Sequence, residues 1–308
     1  MNCPLCAKTD ARELESFSSS DVVSEYQRQL GINVAAEFEK VVNQTRLFRC
    51  GECGLEFFDP SVAGSAQFYA DVSATPGYYP ERRWEFGRVA AKITKDAEVL
   101  DVGCGDGDFL KSLPNPRRLG LDLNPSALEK AKDYDFPVRG ETLAQQPDGS
   151  ADAITLFHVM EHLNDPSEIL TELVRVLRPG GLLAIAVPNN DGFIGRMIHA
   201  PLNGPPHHVL RWGESSLRKI AELHPLKLDE VEFEPIWPDQ MLLYRRTRYG
   251  NMAAGLMGMK PKCYAVTGMT KLFRKIGTAL AFARGWLGSS PPKSVHGHTI
   301  VAYFRKAE

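Results

Sequence analysis

No apolar run in this 308-residue chain approaches the ~18–20 residues that a membrane-spanning helix needs. The opening MNCPLCAKTD lacks both a basic stretch and an apolar core, so no secretory leader is expected, and a reducing cytoplasmic setting is. Acidic residues nearly vanish toward the end. Residues 241–308 hold 12 Lys and Arg against Glu308 alone, a balance of +11. That leaves 24 of the 36 basic and 37 of the 38 acidic residues in 1–240, a balance of −13. An acidic body argues against a nucleic-acid binder with a basic face across the whole fold. The basic tail points to an anionic partner, or serves only as a solvated face. Apolar and charged fractions of 43% and 24% are ordinary, and the length suits one large domain with a smaller module.

Cysteines number only six, yet four fall into two knuckles, Cys3-Pro-Leu-Cys6 and Cys50-Gly-Glu-Cys53-Gly. Each spacing lets one tight turn offer two thiolates to a tetrahedral ion, so a closed structural Zn2+ site of Cys3, Cys6, Cys50 and Cys53 is expected. The 43 residues between the knuckles exceed the ~12–20 of compact ribbons. Within them SSDVVSEYQRQLG reads as a capped helix ending at Gly31, an insertion in the module.

The dinucleotide pattern GxGxxG is also missing. In AEVLDVGCGDGDFL (97–110) a strand runs into Gly103, Gly105 and Gly107 and then a helix start. Asp101, Asp106 and Asp108 surround this loop and would repel a pyrophosphate. A cationic ligand without phosphate fits better, and S-adenosylmethionine, with its sulfonium and ammonium, is one. The next strand ends at Asp122, about twenty residues on, where a carboxylate can accept from both ribose hydroxyls or simply cap the following helix. SADAITLFH reads as another strand, Asp165-Pro166 as a helix start, ILTELVRVLRPGG as an amphipathic helix stopped by Pro-Gly-Gly, and LLAIAVPNN as a buried strand. The alternation predicts an α/β fold.

VLDVGCGDG, GLDLNP, DAITLFHVMEHLNDP, VRVLRPGGLL and the VPN strand end together resemble class I S-adenosylmethionine-dependent methyltransferases over about residues 80–235. With the knuckles in front and PPHHVLRW behind, the whole chain resembles bacterial zinc-ribbon enzymes of the "methyltransferase domain 23" type, many of them tied to polysaccharide or natural-product sugar pathways. The resemblance implies a Rossmann-like seven-stranded sheet of order 3-2-1-4-5-7-6. HGHTIVAYFRK would form the antiparallel last strand and LKLDEVEFEPI the sixth. It implies a zinc-ribbon module over 1–60 and a methyltransferase domain over 61–308, with 241–290 a basic helical insertion or lid. It places Asp101, Gly103, Cys104 and Gly105 at the methionine end of the cofactor, with Cys104 a small packing residue. Asp122 holds the ribose, Leu123 and Glu141 border the adenine, and Phe157 and His158 sit beside the methyl.

His158-Val159-Met160-Glu161-His162 also spells H-x-x-E-H, found in one class of zinc peptidase. That chemistry wants the run on a helix with a third ligand downstream, whereas the capped start at Asp165 follows almost at once. Methyl transfer to a hydroxyl asks for alignment of the acceptor and removal of its proton. His158, His162, His207 and His208 are the candidate bases, or with Glu161 ligands of a second divalent metal; His162 also reads as a brace for its loop. Tyr69, Tyr78, Tyr79 and Trp84 form either a lid or packing between modules. MTKLFRKIGTALAFARGWLG (269–288) reads as a basic amphipathic helix whose apolar side includes Leu272, Phe273, Ile276, Leu280, Ala283 and Trp286-Leu287, a lid or a peripheral membrane contact. The expected activity is O-methylation of a small molecule or sugar, with a phosphate-bearing acceptor in view. The alternatives are an rRNA base methyltransferase and a non-catalytic S-adenosylmethionine-binding scaffold.

Overall fold

The computed structural model describes residues 1–41, 44–75, 78, 83–260, 262–285 and 295–308. Strand β1 (Ala11–Phe17) pairs antiparallel with β2 (Thr45–Cys50), and β2 with β3 (Glu56–Asp59). The second cysteine knuckle turns the chain between β2 and β3. The insertion holds β1 as well as the expected helix α1 (Ser19–Leu30). Ser18 Oγ accepts from the Asp21 amide at 3.2 Å, and Gly31, at φ 74°, closes the helix with its N–H on Gln27. Helices α2 (Ala66–Ser73) and α3 (Trp84–Ala90) lead into the main body.

There the chain alternates β4 (Val99–Val102), α4 (Asp108–Ser112), β5 (Arg118–Leu121), α5 (Pro125–Lys130), β6 (Val138–Arg139), β7 (Ala151–Phe157), α6 (Pro166–Val176) and β8 (Leu177–Pro188). After β9 (Leu210–Arg211) come α7 (Glu214–Leu223), β10 (Leu226–Pro235), the pair α8 (Met241–Leu256) and α9 (Gly268–Gly285), and β11 (His296–Lys306). The seven-stranded sheet runs β6-β5-β4-β7-β8-β11-β10, with β11 antiparallel to both neighbours. This is the expected order 3-2-1-4-5-7-6. Strand order reverses between β4 and β7, and open α/β sheets bind ligands at such a switch point beyond the strand ends.

The two faces of the sheet bury alternate residues, as strand geometry requires. One face packs Val102, Ile154, Leu156 and Ile185 on Leu170, Leu173, Leu217 and Ile220, and this cluster continues into Leu5, Cys50 and Phe57 of the N-terminal module. The other packs Val99, Ala153, Ala184 and Tyr303 on Val89, Phe109 and Leu110. Each such large apolar side chain contributes about 1.5–3 kcal/mol when fully buried.

Two local expectations are corrected. Helix α6 ends at Val176, not at Pro179-Gly180, because a residue before proline avoids helical backbone and Leu177 already pairs in the sheet with Ala151. Helix α9 packs through Thr270, Phe273, Gly277 and Ala281, while Leu272, Leu280 and Phe282 are exposed. The face is chosen by close approach to α8: a Cβ on Gly277 would lie 2.2 Å from the Arg246 carbonyl oxygen and 2.8 Å from the Gly250 nitrogen. Trp286 and Leu287 lie outside the described residues. Among the described residues no helix is long and apolar enough to cross a membrane.

Candidate functional site

The glycine loop leaves β4 at the switch point. Gly103, Gly105 and Gly107 all have left-handed backbone, at φ 70°, 51° and 69°. Gly103 has no room for a side chain, since a Cβ would meet Val159 Cγ2 at 2.5 Å. Gly105 is the opposite case, with nothing among the described residues within 4 Å of an added Cβ. The loop thus presses on the exit of β7 at one glycine and opens to a ligand at the other. Asp122 shapes it: one carboxylate oxygen accepts from the Gly105 amide at 2.7 Å and the other from Asn124 at 2.8 Å. Each oxygen keeps a further lone pair. Asp101 is buried and accepts from Thr155 Oγ1 at 2.7 Å. Burial pushes its carboxyl up to about 7, against the Thr155 hydrogen bond and with help from Asp122.

Leu123 follows with 69% of its surface exposed, an apolar side chain in solvent at the mouth of the loop. Glu141 lies after β6 and accepts from Gln146 Nε2 at 2.8 Å. Phe157 turns toward Phe86 and Phe109, with ring centroids 4.7 and 4.6 Å away. The Cys104 thiol packs over Gly120, and burial raises its pKa far above the usual thiol range, as befits a packing residue.

The exit of β7 gathers the histidines. His158 has left-handed backbone at φ 57°, uncommon outside glycine and typical of functional turns. Met160–His162 form a single 3₁₀ turn, so H-x-x-E-H does not lie on an α-helix. His158 Nδ1 is 3.2 Å from Glu161 Oε1 and its Nε2 is 3.7 Å from Glu85 Oε1. Burial works against the charged ring, but the two carboxylates win and raise it to about 9. His158 is therefore an imidazolium at neutral pH, with both nitrogens facing anions. Glu161 is fully buried, and its Oε2 has no hydrogen-bond partner among the described residues. Burial opposes its charge, yet the His158 hydrogen bond holds it below the ordinary carboxylate range.

The segment before β9 delivers the other two. His207 Nδ1 donates to the Leu202 carbonyl at 2.9 Å, which leaves Nε2 to accept from Tyr78 OH at 2.7 Å. His208 Nδ1 faces Asn203 Oδ1 at 3.4 Å, and its Nε2 lies 4.0 Å from Glu161. Burial lowers His207 to about 3, with His162 adding to the effect; burial also lowers His208 well below the ordinary imidazole range, with His207 and His162 adding, so both rings are neutral. His162 Nδ1 donates to the His207 carbonyl at 2.6 Å, close to Tyr69 OH at 3.2 Å. That bond fixes its tautomer, and its Nε2 has no protein hydrogen-bond partner among the described residues. Tyr69 and Tyr78 thus face the histidine cluster. Trp84, the first residue of α3, packs on the core, and Tyr79 lies outside the described residues. Glu85, and His298 with its ring 5.8 Å from that of His158, belong to the same region. No motif in the sequence marks either of them.

The four knuckle cysteines converge, with all sulfurs within 4.8 Å. Cys3 Sγ lies 3.5 Å from Cys53 Sγ, and Cys6 Sγ 3.6 Å from Cys50 Sγ. Tetrahedral zinc with bonds of about 2.3 Å sets sulfurs about 3.8 Å apart, so the set fits. Nitrogens of His162, His207 and His208 also lie within 4.8 Å of one another. His207 already has a hydrogen-bond partner at each nitrogen, the Leu202 carbonyl and Tyr78 OH, so an ion held by this trio would have to displace one of them.

Residues 83–231 match a family described as "Methyltransferase domain". A "Probable S-adenosylmethionine-dependent methyltransferase" of Mycolicibacterium smegmatis is 32% identical over 51% of this chain and 64% of its own length, so the chain spans less than two thirds of that relative. A "Ubiquinone biosynthesis O-methyltransferase" of Xanthomonas campestris pv. campestris is 35% identical over 54% of this chain and 80% of its own length. Among solved structures, the YcgJ protein of Bacillus subtilis aligns at TM-score 0.46 and 17% identity, over 72% of this chain and 98% of that one. With the glycine loop at the switch point and identity carried across four fifths of a named relative, the chain belongs to the S-adenosylmethionine-dependent methyltransferases.

Proposed function

We propose that this protein transfers a methyl group from S-adenosylmethionine to a hydroxyl of a small molecule, with a sugar or glycan as the finer reading of the acceptor. S-adenosylmethionine, when bound, supplies an electrophilic methyl carbon. Gly103, Gly105, Asp101 and Asp122 would hold its methionine and ribose parts, Leu123 and Glu141 its adenine, and Phe157 the wall near the methyl. Open space at Gly105 and the carboxylates around it suit a cationic ligand.

The observation that carries the reading is the state of His162. Its Nδ1–H is spent on a backbone carbonyl, so Nε2 presents a free lone pair beside the acceptor region. An imidazole set this way accepts a hydroxyl proton as the alcohol oxygen becomes nucleophilic. The bond that braces the loop and the base role are therefore compatible. His158 has the opposite character: its charge, between Glu161 and Glu85, makes it a fixed cation that keeps the two buried carboxylates ionised. His207 and His208 act as neutral wall residues that fix the segment accepting the His162 bond. The names of the O-methyltransferase relatives support a hydroxyl acceptor. The N-terminal module would bind structural zinc through Cys3, Cys6, Cys50 and Cys53.

The test is a pair of measurements. S-adenosylhomocysteine should raise the melting temperature and NAD should not; the reverse defeats the cofactor assignment. With a hydroxyl acceptor found by labelled methyl transfer, His162→Gln should lower kcat about 10²–10⁴-fold while S-adenosylhomocysteine still binds. An unchanged kcat removes His162 as base.

A further inference from the structure

A second site lies outside the glycine loop and the histidine cluster. Helices α1, α8 and α9 enclose an open cleft of about 450 Å³, within the range of small-molecule sites. Arg28, Arg246, Arg274 and Lys275 line it, joined by the polar ends of Gln29 and Thr278. The only carboxylate that the described residues bring into ion-pair reach of these cations is Glu25. It is buried, takes the Arg28 guanidinium and the Gln29 amide, and lies 3.7 Å from Arg274. Arg246 and Lys275 have no carboxylate within 4.0 Å among the described residues. Four cations thus share one anion, a local balance of about +3.

The positions are built and not merely crowded. Gln29 is anchored to the His199 carbonyl at 2.7 Å, and Glu25 fixes Arg28 through two of its nitrogens. Arg246 and Arg274 are brought together because α8 and α9 touch at Gly250 and Gly277, where no side chain separates them. Burial, and then neighbouring cations, depress the pKa of both guanidiniums: Arg274 and Arg28 act on Arg246, and Arg28 acts on Arg274. Like charges held in a concave, partly desolvated cleft are relieved by an anion with several acceptor oxygens, which guanidinium forks match in geometry. Residues 241–285 carry no acidic side chain at all, so nothing in α8 or α9 competes with a ligand for the cations.

We propose that the cleft between α1, α8 and α9 binds a phosphate or diphosphate group through Arg28, Arg246, Arg274 and Lys275. The group belongs either to a soluble phosphate ester or to a lipid head group; Leu272, Leu280 and Phe282, exposed on α9, make the second source worth an arm of the test. The inference does not depend on methyl transfer.

The experiment uses the full chain. Sodium pyrophosphate is titrated calorimetrically, and phosphatidylglycerol vesicles are compared with phosphatidylcholine vesicles by flotation. Pyrophosphate binding tighter than about millimolar is expected, weakened about tenfold or more in Arg246→Ala and in Arg274→Ala, and unchanged in Arg248→Ala, an exposed cation on α8 outside the cleft. Thermal melts of the variants establish that they are folded. Flotation with phosphatidylglycerol alone, lost in the same two variants, supports the site with a lipid source; pyrophosphate binding without flotation supports it with a soluble one. Binding of neither probe, or equal losses in Arg248→Ala, overturns the proposal.

Discussion

The charge on His158 gives the sharpest stability prediction. Its ring is held between Glu161 at 3.2 Å and Glu85 at 3.7 Å, and its pKa rises from the ordinary 6.5 to about 9. Protonation is therefore favoured by folding. The stabilisation is full below pH 6.5, falls as pH rises, and is lost above about 9. The gap between the two values corresponds to about 3 kcal/mol. Urea unfolding at intervals between pH 6 and pH 10 measures it, provided unfolding is two-state at each pH. Thiols and other groups titrate in the same window, so the informative quantity is the difference between wild type and His158→Asn. Asparagine suits the comparison because it tolerates the left-handed backbone at this position, φ 57°. Wild type should lead the variant by about 3 kcal/mol more at pH 6 than at pH 10. A pH-independent difference refutes the reasoning, as does an imidazole resonance of His158 that titrates near 6.5.

Purified protein should contain zinc that Cys50→Ser loses; a zinc-free wild-type chain, or a fully loaded variant, excludes the site as drawn. Gly103→Ala and Gly105→Ala should separate folding from ligand binding. Both impose about 1–2 kcal/mol of left-handed backbone strain, but Gly103→Ala also meets Val159 at 2.5 Å and should be the less stable of the two. Gly105→Ala has open space around it, so its larger effect should be on S-adenosylhomocysteine affinity. Equal melting temperatures with equal affinities contradict this division.

Features whose chemistry is local in the chain could be read before folding. The knuckles, the glycine loop and the caps at Ser18 and Asp165 each need only a few neighbouring residues to express their geometry. The sheet order came from resemblance, because pairing order is a global property that spacing alone does not encode. Glu85 escaped notice because RRWEFGR carries no pattern, and its significance arises only when α3 brings it to His158 from across the fold. His298 was one more residue of a strand until β11 inserted between β8 and β10. The inward face of α9 was misassigned for a related reason. Hydrophobic periodicity favoured Leu272 and Leu280, but backbone contact at Gly277 with α8 outweighed it. The protonation of His158, His207 and His208 was equally illegible, since like residues within a few ångströms acquire opposite charge states from burial and from which carboxylate they face.

The four-stranded sheet that carries the cysteine knuckles is joined to the histidine cluster, and this gives the knuckles a consequence beyond local stability. Its sheet runs β1-β2-β3-β9, and β9 begins two residues after His208. Arg211 in β9 is buried, lies 3.2 Å from Glu56 of β3, and bonds Asn190 and Tyr264. A buried pair of this kind is costly to break, about 3–5 kcal/mol when one partner is removed. Further ties run from Gly64 N to the Pro206 carbonyl at 2.8 Å and from Phe58 N to that of Val209 at 3.4 Å, flanking the two histidines on either side. The carbonyl that fixes the His162 tautomer belongs to His207, inside this strapped segment. Loosening the cysteine cluster is therefore expected to free β2 and β3, and with them the segment that aims His162 Nε2. Cys50→Ser should therefore lower methyl-transfer activity as well as zinc content, and a zinc-free variant with unchanged activity refutes the coupling.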